Sequence, residues 1–505
     1  MNENQIALSQ NPLIQFLKKP AEEFTREDII RYVAAKEIEL INFRYIAEDG
    51  RLKTLTFAVT DKEYLENILS TGERVDGSSL FSFIESGSSD LYVIPQYKTA
   101  FVNPFSEIPA LDILCSFYNN EGQPLESAPN YVLRKAQNEF TKATGFTFKA
   151  MGELEYYLIV PKEEINLYPA RDQKGYHESA PYAKFHAFKD EAMRLIAQCG
   201  GKTKYAHSEV GNFTDDTHYY EQQEIEFLCT DAESAADQLV IAKWILRMLA
   251  NEYGILLSFA PKITVGKAGS GLHIHMMIEK NGKNMMIENN ELSQDAKKMI
   301  AGILDLASPL TAFGNTIPTS YLRLVPHQEA PTNICWGDRN RSSLIRVPLG
   351  WLGGDATSMA KKENPQEKGM KPISTSKQTV ELRSGDGSAD IYNFIAGIIV
   401  AAQHGFEMKN ALEFADKLYS KVNIFDASHK EWRDSLKSLP TSCAESADAL
   451  EKSRAMFEKN GIFPAGTIDR FIKMLRGYND KDLSERLFGK NDEIKKLVDQ
   501  YIHCM

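Results

Sequence analysis

The sequence predicts an α+β fold in which a small N-terminal domain precedes a much larger one. Three observations carry this. Alternating runs at residues 38–45 and 51–59 flank the turn Glu48-Asp49-Gly50 and predict a hairpin. Carboxylates alternate with apolar residues at 152–159 and 221–227, which reads as strands with one acidic face. From Tyr392 onward the pattern is mostly helical, with long polar faces.

In order, residues 1–24 read as a loosely structured arm. Thr25 and Asp28 then form the pattern of a capped helix start, and that helix ends near Lys36. Two strands cannot bury a core alone, so residues 91–95 and 111–115 are expected to join the hairpin. Between the hairpin and these strands lies a stretch rich in Gly, Ser and Asp, Asp76-Gly77-Ser78-Ser79 and then Ser86-Gly87-Ser88-Ser89-Asp90, which reads as a surface loop or a functional one. Residues 119–124 are turn-rich and mark the domain boundary, giving domains 1–118 and 119–505. A helix is expected over 129–144, ended by Gly145, and another over 188–198, ended by Gly200-Gly201. Polar loops are expected at 160–185 and between Gly211 and Tyr220. A helix follows at 234–253 and a strand at 256–265, interrupted at Pro261-Lys262.

The chain is 43% hydrophobic and 25% charged, which excludes a disordered or collagen-like protein. A net charge of −11 argues against a nucleic-acid partner. Six scattered cysteines without CxxC spacing fit a reduced, cytoplasmic setting. No apolar run reaches the about 18 residues that span a membrane, and no basic, apolar leader opens the chain.

The chemistry gathers on strands. Glu153 and Glu155 share one face, as do Glu224 and Glu226. Adjacent carboxylates repel and lose hydration unless a cation lies between them. Gly269-Ser270-Gly271-Leu272-His273-Ile274-His275 is a glycine turn entering a strand with both histidines on one face. Arg323, Glu329, Arg339, Arg341 and Arg346 follow within 24 residues, and Glu381-Leu382-Arg383 repeats acid and base on one strand face. Hard oxygen ligands with an occasional histidine suit Mg2+ or Mn2+, and guanidinium forks suit phosphate. Metal with arginines is the apparatus of phosphoryl transfer, yet neither a Walker loop nor a kinase motif set is present.

The order of these phrases resembles the glutamine synthetase family, from about Leu40 to Tyr392. The matching phrases are Asp76-Gly77-Ser78-Ser79 with Ser89-Asp90, Gly152-Glu153-Leu154-Glu155, Glu209 and Glu224, the Gly269–His275 phrase, Arg323-Leu324-Val325-Pro326 with Glu329-Ala330-Pro331, Arg339-Asn340-Arg341-Ser342 with Ile345-Arg346, and Glu381-Leu382-Arg383. Length and the paired histidines look like the bacterial dodecameric type. The resemblance implies a β-grasp-like N-terminal domain and a large catalytic domain with a curved antiparallel sheet and flanking helices. It implies ATP, L-glutamate and ammonium as substrates, Mg2+ or Mn2+ as cofactor at two or three ions per site, and a homo-oligomer of two stacked hexamers.

Residue by residue, the resemblance implies that Glu155, Glu209 and Glu224 hold a first ion and that Glu153, His273 and Glu381 hold a second. Arg341, Arg346 and Arg383 would face the transferring phosphoryl group, and His275 the nucleotide phosphates. Arg323 and Gly269 would serve the amino-acid substrate. Asp76 and Asp90 would come from a neighbouring subunit, with Asp76 taking the ammonium proton. Glu329 would sit on a flap that keeps water from an activated acyl phosphate. The chain departs from the family pattern at Met277, Thr379, Ala268 and Phe83 and is longer between Glu209 and Glu224. Glutamine synthesis is the activity implied. A γ-glutamyl-amine or polyamine ligase and a silent relative are the alternatives.

Overall fold

The structure, a computed structural model, describes residues 6–84, 89–165, 167–325, 330–350, 357–369 and 377–504. The expected loose arm is corrected at its centre, where Pro12–Leu17 is helical. Asn11 Oδ1 accepts from the amides of Leu13 and Ile14, and Leu13, Ile14 and Leu17 enter the N-terminal apolar core. Fewer than two turns show too little periodicity to be read from sequence. The Thr25–Asp28 capping box opens the helix Arg26–Ala35 as expected. A second helix, Lys62–Thr71, was not expected; Asp61 caps it and its buried Leu65, Ile68 and Leu69 fall at helical spacing.

The N-terminal sheet is built from β1 (Leu40–Ile46), β2 (Leu52–Ala58), β3 (Glu73–Asp76), β4 (Asp90–Pro95), β5 (Phe101–Val102) and β6 (Ala110–Tyr118), in the order β2-β1-β6-β4-β3 with β5 beside β6. β1 and β2 form the expected antiparallel hairpin, and β1 runs parallel to β6. In the middle of this sheet the buried Asp112 accepts from Arg44 at 2.6 Å and Asn42 at 2.6 Å. Segment 85–88, part of the expected Gly-Ser loop, lies outside the described residues.

The larger sheet takes β7 (Thr147–Pro161), β8 (Thr203–Thr214), β9 (His218–Phe227), β10 (Thr230–Asp231), β11 (Leu256–Ser258), β12 (Leu272–Lys280) and β13 (Lys283–Asn284). After the small pair β14 (Ile287–Glu288) and β15 (Glu291–Leu292) it adds β16 (Trp336–Asp338), β17 (Ile345–Val347) and β18 (Val380–Leu382). Its main order is β16-β17-β18-β12-β7-β9-β8. Every pairing is antiparallel except β16 with β17, so the expected antiparallel sheet is mixed at one edge. The expected strand at 256–265 shrinks to β11, since Pro261 removes a ladder donor.

Helices cover the sheet. Ala232–Tyr253 is capped by Asp231 and ended by Gly254 in the left-handed region. It lies so close to β7 that a Cβ on Gly152 would meet Leu239 Cδ2 at 2.7 Å. Ile391–Glu407, capped by Asp390, is buried along nearly its whole length and belongs to the same apolar core as β7, β9 and β12. The chain after it is mostly helical, as expected. Among the described residues no helix is long and apolar enough to cross a membrane.

Candidate active site

Sheet register builds the site. On β7, Glu153 lies opposite Glu226 of β9 and His273 of β12, while Glu155 lies opposite Glu224 of β9. β8 adds His207 opposite Glu224 and Tyr205 opposite Glu226. β18 sets Glu381 opposite His275, and β17 sets Arg346 opposite Glu381. Opposed residues share a face with their Cβ atoms about 5 Å apart. Six strands therefore carry acids, imidazoles and a guanidinium onto one patch before any loop contributes.

The resulting contacts are short. His273 Nδ1 lies 3.0 Å from Glu153 Oε2 and 3.5 Å from Glu381 Oε1. His275 Nε2 lies 2.8 Å from Glu153 Oε1, and its Nδ1 lies 3.0 Å from Thr379 Oγ1. His207 Nε2 lies 3.1 Å from Glu224 Oε1, and its Nδ1 3.6 Å from Glu209 Oε2. Glu153, His273 and Glu381, the expected second-ion set, gather within 4.8 Å. The expected first-ion set is divided differently. Glu224 is shared by two triads, Glu155–Glu224–His273 and His207–Glu209–Glu224. His207 was not singled out from sequence, although the phrase His207-Ser208-Glu209 puts it on the Glu209 face of a strand.

The charges are unbalanced. Burial first, and then the neighbouring Glu153, Glu155 and Glu209, push the Glu224 carboxyl well above its ordinary range. Burial opposes ionisation of Glu153 too, but the His275 and His273 rings hold that carboxyl well below the usual range. Burial of Glu381 is likewise outweighed by Arg383, which lowers it. Burial lowers His207. Carboxylates crowded until one keeps its proton, with imidazoles at their edges, are the donor set of a hard divalent cation, so the residues present fit Mg2+ or Mn2+.

Around the acids lies a cleft of about 1170 Å3 lined also by Arg323, Arg339, Arg341, Arg346, Arg383 and Gly269. Arg346 Nη1 and Arg383 Nη1 each donate to Glu381, at 3.0 and 3.1 Å. Among the described residues the Nε–H groups of the same two arginines are buried without a partner. Arg323 is buried; its Nη1 donates to the carbonyls of Ser384 and Gly385 at 3.0 and 3.2 Å. That closeness explains the glycines of the Gly269–Gly271 turn. A Cβ on Gly269 would meet Pro261 O at 2.5 Å, and one on Gly271 would meet Arg323 Nη2 at 2.6 Å. The fully buried Gln222, also unread in the sequence, ties the turn to the acids: its Nε2 donates to Glu155 Oε2 and Gly269 O, both at 3.0 Å.

Three departures take local roles. Ala268 contributes its backbone, accepting from Tyr157 at 2.8 Å and donating to Gln173 at 2.7 Å. Thr379 bonds His275, and Met277 accepts weakly from Asn284. The expected loop from Gly211 to Tyr220 is corrected: β8 and β9 extend through it, pairing Asn212 with Glu221 and Phe213 with Tyr220, and close at Asp215. Phe213 and Tyr220 stack at 4.2 Å. The aromatic residues that stabilise the pair were hidden in a polar-looking segment. Val210, just before this extension, lines the cleft, and the extension itself does not.

Asp76 and Asp90 face each other across β3 and β4 and are not among the residues lining the cleft of their own chain. Asp76 is exposed. Hydrogen bonds from Ser78, Ser79 and Ser89 hold its carboxyl down at about 2. Glu329 lies outside the described residues.

Comparison with known proteins agrees with this architecture. The family description "Glutamine synthetase, catalytic domain" matches residues 126–482, and "Glutamine synthetase, beta-Grasp domain" matches residues 37–120. A glutamine synthetase of Clostridium saccharobutylicum is 28% identical over 438 residues, 85% of this chain and 90% of its own length. One of Methanosarcina mazei is 30% identical over 448 residues, 86% of this chain and 91% of its own. Among solved structures, Plasmodium falciparum glutamine synthetase superposes with a TM-score of 0.73 at 21% identity, covering 92% of this chain and 97% of that one. Ligand-free GmaS superposes at 0.70 with 18% identity, covering 90% and 96%. At those identities the two structures attest a shared fold only. With both domain descriptions matched in sequence order over most of its length, the chain belongs to the glutamine synthetase family.

Proposed function

We propose that this protein is an ATP- and Mg2+-dependent ligase that joins ammonia to the γ-carboxylate of L-glutamate through γ-glutamyl phosphate. The observation that carries this reading is the juxtaposition of the buried acid–imidazole rows with two unpartnered guanidinium Nε–H groups, those of Arg346 and Arg383. Glu155, Glu209 and Glu224, joined by His207, would hold one cation, and Glu153, His273 and Glu381 another. When bound, these cations would neutralise phosphate charge. Arg346 and Arg383 donate to oxygens of the transferring group, Arg341 closes over it from the cleft wall, and His275 faces the nucleotide phosphates. Arg323, held at the cleft by the 384–385 carbonyls, is the proposed partner of the substrate carboxylate. The flap carrying Glu329 keeps water from the acyl phosphate.

That Asp76 and Asp90 lie off their own cleft supports a reading in which a second copy supplies them, within a proposed homo-oligomer of two stacked hexamers. A carboxyl held at about 2 suits holding ammonium better than accepting its proton, so Asp76 is proposed chiefly as a cation anchor. The domain division at residue 118 is part of the same proposal, as is a cytoplasmic location.

A second reading, a γ-glutamyl-amine ligase, is favoured by one feature. The rings of Tyr176, His177 and His207 lie 4.2 to 5.3 Å apart beside Glu209, a π-rich wall that can face an alkylammonium as well as ammonium. Phosphate release from ATP with Mg2+ and glutamate, measured with ammonium, with an amine panel and with neither, separates the readings. Ammonium-dependent release with glutamine as product supports the first. Release only with larger amines supports the second, and no release overturns both.

A further inference from the structure

Away from the cleft, a cavity of about 360 Å3 opens between the β1–β2 turn, the helix Ala232–Tyr253 and the segment around Ile502–Cys504. Lys243 and Arg247 form its floor, Trp244 one wall, and Arg51 and His503 its rim. Among the described residues no acidic side chain lines it. Lys243 is buried; its one hydrogen bond is to the carbonyl of Gly387 at 2.6 Å. Arg247 donates to the Cys504 carbonyl at 2.7 Å. Both cations also stand over the Phe259 ring, at 4.9 and 5.0 Å. Among the described residues no carboxylate comes within ion-pairing distance of Lys243, Arg247 or Arg51.

A neighbouring buried cation is neutralised: Arg44, over the Trp244 ring at 4.7 Å, is paired with Asp112 at 2.6 Å. Lys243 has no such partner. Burial, and then Arg247, push its ammonium down to about 7. Burial lowers Arg247 as well, with Arg51 adding repulsion. Unpaired like charges around a hollow are costly unless an anion enters.

We propose that this cavity is a binding site for a small, multiply charged oxyanion, held by Lys243 and Arg247 from below and by Arg51 from the rim. Phosphate and carboxylate share the required chemistry, since each offers several acceptors to guanidinium and ammonium donors. The site touches the catalytic region through one segment. Gly387, which accepts from Lys243, lies two residues beyond Gly385, which with Ser384 holds Arg323 through its carbonyl.

Trp244 gives a local readout, because it lines the cavity, whereas Trp336 and Trp432, the other tryptophans among the described residues, do not. The full-length protein with Mg2+ is titrated with inorganic phosphate and, separately, with succinate. Subtracting the response of Trp244→Phe isolates the cavity signal. The expected result is a saturable change with at least one anion, which also assigns the class. The apparent affinity falls at least about tenfold in Arg51→Ala and in Arg247→Met, the loss of one charge-assisted contact, and is unchanged in Arg341→Ala. Arg51 is exposed, so its variant keeps the fold. No Trp244-dependent change with either anion overturns the proposal, as does a change that survives both Arg51→Ala and Lys243→Met.

Discussion

Glu224 and Asp76 are both carboxylates on strands, yet the protein treats them in opposite ways. Glu224 is buried among four other acids and is pushed well above its ordinary range. Asp76 stands in the open, served by serine hydroxyls and an amide, and is held at about 2. The first is a carboxylate the fold leaves short of positive charge. The second is a carboxylate already satisfied. Only the first calls for a resident cation, and only the second is ready to meet a cationic group brought from outside its own chain.

The largest test of that contrast removes a cluster acid. Glu381→Ala is expected to cut ATP-dependent phosphate release by about 10³-fold, since a divalent cation at such a site supplies several kcal/mol of charge stabilisation. Retained activity would break the comparison. Next, Arg346→Ala removes one of the two unpartnered buried donors and is expected to lower kcat by about 10²-fold with a smaller change in KM for ATP.

The third test concerns stability without metal. The folded protein keeps the Glu224 proton at a pH where the unfolded chain, with its ordinary value of 4.5, has lost it. Stability contributed by this group therefore falls as the pH climbs past 4.5 toward its folded-state value. Glu224→Gln is expected to raise the metal-free melting temperature by a few degrees at neutral pH and to abolish the stabilisation that Mg2+ gives. The smallest effect is at Asp76. Its carboxyl is expected to titrate near 2 by NMR, and Asp76→Asn is expected to leave the melting temperature unchanged while weakening the response to ammonium.

Much of this was legible because it rests on strand alternation. Glu153, Glu155, Glu224, His273 and His275 each alternate with apolar neighbours, so their shared faces can be read from spacing alone. The hairpin β1–β2 and the capped helix Arg26–Ala35 were readable for similar reasons, through local turn and cap chemistry. What escaped depends on partners distant in sequence. His207 joins the acids only because β8 pairs with β9 across a bulge between Ser208 and Asn212. Gln222 looks like any polar residue until its amide is found between Glu155 and Gly269. The β8–β9 extension was masked by polar residues around its turn, where Asp215 accepts from the amides of Thr217 and His218. The basic cavity at Lys243 has no sequence signature, because its cations come from a hairpin turn and a helix far apart in the chain.

The central claim is that the strand register builds cation sites. The most direct measurement is the number of Mn2+ ions bound per chain in the presence of ATP, by electron paramagnetic resonance, in the native protein and in Glu381→Ala. Two or more ions in the native protein, with one lost in the variant, is the predicted result. No bound Mn2+, or the same number in both proteins, would contradict it.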